Sequence, residues 1–146
     1  MNAWQLSPWL ASFGLLLGAC NAPPVPALPP PWMTLMTRRK VRVAIDTSAQ
    51  GVRRLADGAV VVRLRYDLPD GLTMGGVRFH RVESEEVPEC EHTTARLRFV
   101  VLFDSTGAPI ARVPPTGVDS VGDRSMIGTA GIPLCAYLRR GPQGPR

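Results

Sequence analysis

The sequence predicts one small all-β domain, a β-sandwich of immunoglobulin-like or transthyretin-like architecture, with a small β-barrel as the alternative. Several short segments alternate polar and apolar residues with a period of two, the pattern of half-buried strands. The 14 glycines and 15 prolines interrupt every window in which a helical period would develop. Six to seven strands spread over residues 38–141 suit a sandwich. Residues 142–146 are predicted to be a flexible tail.

The first 19 residues are predicted to be an export signal. The apolar run 9–19 is too short for a transmembrane helix, which takes roughly 20 apolar residues. It has the length of a signal-peptide core that ends in small residues. Residues 1–8 contain no lysine or arginine, unlike most export signals. Two alternatives therefore stay open: a cytosolic N-terminal helix, or synthesis that begins at Met33 or Met36.

The four residues that close this run, Leu17-Gly18-Ala19-Cys20, resemble the lipobox of bacterial lipoproteins. The resemblance implies that Cys20 becomes the mature N-terminus and carries the acyl chains that anchor the protein to a membrane. Asn21 follows in place of the aspartate that commonly retains such proteins in the inner membrane, so the outer membrane, facing the periplasm, is expected. Residues 20–37 are then the lipidated cysteine and a tether, because the six prolines among residues 21–32 favour an extended polyproline II spacer.

The candidate strands of the domain share period-two alternation or a short apolar run. The most strongly predicted hairpin is 95–113, because Asp104 opens and Gly107 closes a four-residue turn. Pro109 lacks an amide donor, which places the return strand at a sheet edge or at its own start. Residues 50–56 are predicted to form at most one helical turn. In the first candidate strand, Val41, Val43 and Ile45 share one face, and in the second Val62, Leu64 and Tyr66 point inward. In chain order the candidate strands are 38–45, 59–66, 77–82, 95–103, 108–113, and one or two final strands at 126–127 and 134–138.

The cysteine count is odd, and the signal prediction accounts for it. If Cys20 is acylated, Cys90 and Cys135 remain as a pair in an oxidising compartment. A disulfide between them would stabilise the domain by roughly 4 kcal/mol in the chain-entropy model. Two free thiols are the alternative.

The charge pattern does not favour a nucleic-acid partner. The formal net charge is +5, with 17 basic and 12 acidic residues. The charges are spread over alternating strand positions, such as Arg63 with Arg65 and Arg96 with Arg98, which is typical of a solvated sheet face. For the one cluster, residues 38–40, the pattern favours attraction to phospholipid head groups over nucleic-acid binding. The sequence identifies no small-molecule substrate.

No catalytic constellation is found, so the sequence predicts a protein that is not an enzyme and needs no cofactor. Nucleophilic catalysis requires a base within reach of the nucleophile. The two histidines, His80 and His92, are not accompanied by a Gly-x-Ser-x-Gly elbow or another triad pattern. The Gly-rich stretch 117–131 has no lysine and no phosphate-loop spacing, and it is predicted to be a flexible loop.

One fragment has the character of a metal site. Cys90 and His92, two residues apart on a strand, would share one face, and His80 or Met74 would complete a ligand set. Cys90 has a competing partner in Cys135, so no metal ligand is predicted, and a periplasmic metal-binding protein is kept as an alternative function.

Five glutamates lie within nine residues without the spacing of a calcium loop, which predicts a solvated acidic loop. They are Glu83, Glu85, Glu86, Glu89 and Glu91.

The lipobox, a first strand at 40–46, the segment 56–68 and the ending Ala136-Tyr137-Leu138-Arg139 are together similar to the outer-membrane lipoprotein of type VI secretion systems. The similarity covers about a third of the chain. It implies a transthyretin-like sandwich whose surface loops dock a partner that spans the periplasm. The residues themselves predict a lipid-anchored, non-catalytic envelope protein that acts as a binding or structural module, held to the membrane through its lipid and able to meet another envelope protein. The secretion-machine docking protein is the first alternative.

Overall fold

The computed structural model describes residues 28–29, 31–92, 94–113, 118–119 and 126–141. The predicted signal peptide, Cys20 and the predicted tail lie outside this part of the chain. The described residues form eight strands in one antiparallel sheet, together with one helix. The elements are β1 Trp32–Arg38, β2 Val41–Asp46, β3 Val52–Arg54, β4 Val60–Met74, β5 Val77–Glu89, β6 Thr94–Phe103, β7 Pro109–Val113, β8 Val118–Asp119 and α1 Met126–Arg140.

The predicted all-β class is confirmed, and the architecture is consistent with a small sandwich. The strands follow the order β1-β2-β4-β5-β6-β7, while β3 pairs with the start of β4 and β8 with the start of β6. The sheet does not close into the alternative barrel: among the described strands, β1 and β7 are its two edges. The predicted hairpin at 95–113 is confirmed as β6 and β7, with Pro109 opening the edge strand.

Alternation along the strands places the core on one face of the sheet. Val62, Leu64 and Tyr66 of β4 point inward as predicted, and Val43 and Ile45 of β2 lie beside them. We call this side the inner face and the opposite side the outer face. The remaining buried members of the core are Leu68, Phe79, Val82, Leu102, Ala130 and Leu134.

Helix α1 covers the inner face, where the sequence predicted strands at 126–127 and 134–138. That prediction is wrong, and so is the prediction of a flexible loop as far as residue 131. Ala130 and Leu134 are four residues apart, so they project from the same side of the helix into the core. The helix contacts both β1 and β6, so it crosses most of the sheet and supplies the second layer of the domain.

Helix α1 ends at a glycine. Gly141 adopts a positive φ of 72°, and its amide donates to the Leu138 carbonyl. A glycine in this conformation commonly ends a helix, since it has no Cβ to clash. Arg139 and Arg140 in the last turn face the negative end of the helix dipole.

Two further local predictions differ from the structure. The segment assigned to the tether as far as residue 37 includes β1, because Leu35 and Met36 pack against the core and the strand pairs with β2. The single helical turn predicted for residues 50–56 is instead β3, an extended segment that pairs with β4.

The strand directions define two ends of the domain. Trp32 begins β1 opposite Asp46, and we call this side the tether end. At the opposite end, which we call the hairpin end, tight turns join β1 to β2 and β4 to β5. Gly75 and Gly76 have φ values of 57° and 78°, which a two-residue hairpin turn of the primed type requires.

Candidate functional site

The disulfide predicted from the cysteine count is present at the tether end. Cys90, just after β5, is bonded to Cys135 of α1, with their Cα atoms 5.7 Å apart. The bond fastens the helix to the end of a central strand. Cys20, the predicted lipidation site, lies outside the described residues.

The metal-ligand set considered from the sequence is not brought together in the described chain. The Cys90 sulfur is bonded to Cys135 and is therefore not a thiolate ligand. His80 precedes Cys90 by ten residues along β5, a separation of roughly 33 Å in an extended strand, and Met74 is farther away still. No group of three or more His, Cys, Asp or Glu side chains in this part of the protein is placed to hold a metal ion.

Most of the glutamate cluster is not the solvated loop that the sequence predicted, and Glu91 is its one member in an exposed turn. Glu83, Glu85 and Glu86 belong to strand β5, and Glu83 and Glu86 are only 8% and 1% exposed. The reason is long-range pairing: the Gly75-Gly76 turn folds β5 back along β4, so the glutamates of one strand meet the arginines of the other. Paired charges tolerate burial that isolated ones do not.

On the outer face, Glu83 lies between two arginines. Its Oε2 accepts a hydrogen bond of 2.7 Å from Arg63, and its Oε1 lies 3.5 Å from Arg81 Nε, an ion-pair contact without hydrogen-bond geometry. Beside it, Arg53 donates two hydrogen bonds of 3.1 Å to Glu85, one to each carboxylate oxygen. Such paired contacts fix the orientation of both side chains.

Asp67 is the third carboxylate of this network. Arg42 donates to its Oδ2 from Nε at 3.0 Å and from the terminal nitrogen at 2.9 Å. Arg65 donates to its Oδ1 at 2.8 Å. All three side chains are less than one-fifth exposed, so water screens these ion pairs less than it screens pairs at an open surface.

Aromatic rings complete the outer face. The Arg81 guanidinium lies 4.0 Å from the centre of the Phe103 ring, and that of Arg112 lies 5.0 Å from Phe99, both within cation–π range. Six arginines meet three carboxylates here, leaving an excess of positive charge. We call this set the arginine face: Arg42, Arg53, Arg63, Arg65, Arg81, Arg112, Asp67, Glu83, Glu85, Trp32, Phe99 and Phe103.

Among the described residues, the inner face holds one buried polar cluster. Glu86 Oε1 accepts hydrogen bonds from Ser84 Oγ at 2.6 Å and from Tyr66 Oη at 3.1 Å. Burial raises the pKa of the Glu86 carboxyl, while the hydrogen bonds from the two hydroxyls act in the opposite direction. Burial and the neighbouring Glu86 also raise the pKa of the Tyr66 phenol. A serine beside a carboxylate has the composition of a nucleophile and a base, but all three residues are buried in the core, so the geometry supports a structural role.

The buried carboxyl predicts a specific dependence of stability on pH. Because the pKa of Glu86 is higher in the folded protein than in the unfolded chain, folding favours the protonated form. Its contribution is fully present below the unfolded pKa, roughly 4.3, and is lost as pH rises through the folded pKa. We expect Glu86→Gln to remove this loss, since the amide oxygen still accepts from Ser84 and Tyr66. Urea unfolding of the natural chain and of Glu86→Gln between pH 4 and pH 8 measures this change in the free energy of unfolding.

The matched control is Glu85→Gln, the neighbouring glutamate on the outer face. We expect the free energy of unfolding of this variant to change with pH as it does in the natural chain. Its values should be lower throughout, because the variant loses the pairing of Glu85 with Arg53. Parallel stability curves for the natural chain and Glu86→Gln would show that Glu86 does not titrate differently on folding.

Cavities open at both ends of the sheet in the described part of the chain. A cavity of about 550 Å³ at the tether end is lined by the disulfide, His92 and Arg139. Another, of about 710 Å³ at the hairpin end, is lined by Lys40, Arg42 and His80 among others. Both are open to solvent at the domain surface, and neither is lined by the buried Glu86 cluster.

The chain matches no protein-family model, no characterised protein and no solved structure. The similarity to the type VI secretion lipoprotein therefore stays a prediction from a few segments. In the part of the chain that the structure describes, no helix has the length and apolar character needed to cross a membrane.

Proposed function

We propose that this protein is a lipid-anchored, non-catalytic component of the bacterial envelope, and that its folded domain is a binding or structural module. The pairing of Cys90 with Cys135 carries the proposal. Structural disulfides persist in oxidising compartments such as the periplasm. The sequence has three cysteines, so this pair leaves Cys20, the cysteine of the lipobox-like segment, available for acylation.

The distance between the proposed anchor and the fold supports this arrangement. Residues 21–28 separate Cys20 from Pro29, whose carbonyl accepts a hydrogen bond from the Trp32 amide in the turn that leads into β1. A proline-rich segment of that length in polyproline II conformation would reach roughly 25 Å at about 3.1 Å per residue. The domain would thus be held at the membrane without being pressed against it.

The arginine face is the surface that best supports a binding role. Arginine and aromatic side chains are enriched in protein interfaces. Here the guanidinium groups are oriented by carboxylates and rings on a sheet that the disulfide fastens to its covering helix. Their excess of positive charge would complement an acidic surface on another envelope protein.

Metabolic labelling with radioactive palmitate tests the anchor. We expect the natural chain, expressed in a Gram-negative host, to incorporate label and to fractionate with outer membranes. Cys20→Ala should incorporate none. The control carries both Cys90→Ala and Cys135→Ala and should still be labelled, because these cysteines take no lipid. Label in Cys20→Ala, or its absence from the natural chain, would overturn the proposal.

A further inference from the structure

The β4–β5 hairpin exposes an apolar tip at the hairpin end. Leu72, Met74 and Val77 are 49%, 57% and 38% exposed. Leu72 pairs with the buried Phe79 and Met74 pairs with Val77, so these side chains share one face of the hairpin, beyond the edge of the core. Single exposed apolar residues are ordinary, but several together on one projecting element indicate a contact surface.

Basic side chains surround this tip. Lys40 Nζ lies 3.1 Å from Asp70 Oδ2, which places the β1–β2 turn beside the hairpin. Arg38, which ends β1, and Arg39 of the turn are exposed, and so is Arg78, which donates a 2.7 Å hydrogen bond to the Asp70 carbonyl. Within the described residues, the one ion pair that these four cations form is that of Lys40 with the Asp70 carboxylate. The cluster 38–40 and the apolar tip are more than 30 residues apart in the sequence, and only the fold brings them together.

The combination fits one kind of partner. Apolar side chains beside cations bind at a bilayer interface, where the former enter the acyl boundary and the latter meet anionic head groups. A second copy of the chain is a poor occupant, because four cations would face four cations. The Gly75-Gly76 turn that closes the tip carries no side chains, so the tip is narrow, a shape that enters a bilayer interface more readily than it covers a flat protein surface.

We propose that the hairpin end binds the surface of a bilayer that contains anionic phospholipid, with residues 72–77 inserted and Arg38, Arg39, Lys40 and Arg78 at the head groups. This contact goes beyond the proposed lipid anchor, because it uses the folded domain and does not involve Cys20. It would give the protein a second point of attachment to a membrane.

A fluorescent probe at the tip tests insertion directly. In the full-length chain, Cys20→Ser excludes acylation, and Met74→Cys then supplies the thiol for an environment-sensitive dye. On vesicles of phosphatidylglycerol and phosphatidylcholine we expect a blue-shifted emission that lipids with brominated acyl chains quench. The matched control places the dye through Ala56→Cys, an exposed position in the turn between β3 and β4 at the tether end. Its emission should not change.

Charge variants test the head-group contact. Arg38→Gln with Arg39→Gln should weaken vesicle binding at least tenfold, and added salt should weaken it too. Arg96→Gln with Arg98→Gln removes the same charge from exposed positions of β6 and should leave binding nearly unchanged.

Three outcomes would overturn the proposal: equal responses from the dye at both positions, equal losses in the two pairs of charge variants, or no binding to anionic vesicles. If the hairpin-end variants instead lose contact with an envelope protein while vesicle binding is unaffected, the partner is a protein and the bilayer proposal is wrong. The palmitate result does not depend on any of these outcomes, because every vesicle experiment uses Cys20→Ser.

Discussion

Replacing both Cys90 and Cys135 with serine is expected to lower the free energy of unfolding by about 4 kcal/mol. The bond closes a sequence separation of 45 residues, and the loop contains β6, β7 and most of α1. Without it, the unfolded chain gains the conformational freedom that the loop had removed. A domain of this size is typically stable by only 5–15 kcal/mol, so the loss is a large part of the total.

Urea unfolding of the natural chain, oxidised and reduced, and of the double serine variant measures this effect. The reduced natural chain and the variant should agree, since both lack the same bond. Cys20→Ser is the matched control and should unfold like the oxidised natural chain. A difference below about 1 kcal/mol between the oxidised and reduced forms would mean that the native structure compensates for the expected loop entropy.

Leu134→Ala is expected to destabilise the domain by about 3 kcal/mol, within the range measured for buried leucines. Leu134 is 2% exposed and joins the helix to the core of the sheet. Its truncation removes apolar contacts and leaves a cavity between two layers that a disulfide holds together, which limits how far they can close the gap.

The same helix supplies the control. Ile132 is 74% exposed, so Ile132→Ala removes a side chain of similar size without opening a cavity. Its effect on unfolding should stay within about 0.5 kcal/mol. Equal effects of the two substitutions would contradict the packing of α1 across the inner face.

The strands were predictable because their information is local. The alternation in residues 59–66 states which side chains of β4 are buried, whatever the strand pairs with. Likewise, the turn from Asp104 to Gly107 marked the β6–β7 hairpin: Asp104 Oδ1 accepts hydrogen bonds from the Thr106 and Ala108 amides inside that turn.

Helix α1 was not predicted from the sequence, because its glycines and its proline argue against a helix more strongly than its apolar spacing argues for one. Glycine at 128 and 131 and proline at 133 each lower the helix propensity of an isolated segment. The signal that would have found it is the four-residue spacing of Ala130, Leu134 and Leu138, which forms one apolar stripe. Burial of that stripe against the sheet outweighs the weak local propensity.

The disulfide was predictable from the cysteine count once Cys20 was assigned to the lipobox, but the arginine face was not. Its ion pairs join residues that lie from 2 to 32 positions apart, so their partners depend on the strand register. A run of glutamates is typical of a solvated loop. It is compatible with a buried strand only where the paired strand carries arginines at the matching positions. The Gly75-Gly76 pair between two strand patterns was the available signal for that register.

The position of β1 has a mechanical consequence. Trp32 enters at the tether end, whereas the turn 39–40 and the β4–β5 tip lie at the other end. A force that pulls between Cys20 and a bound tip therefore acts along the axis of β1. The β1–β2 hydrogen bonds would then be loaded together in shear instead of opening one after another, which is the geometry in which a paired strand resists extraction best.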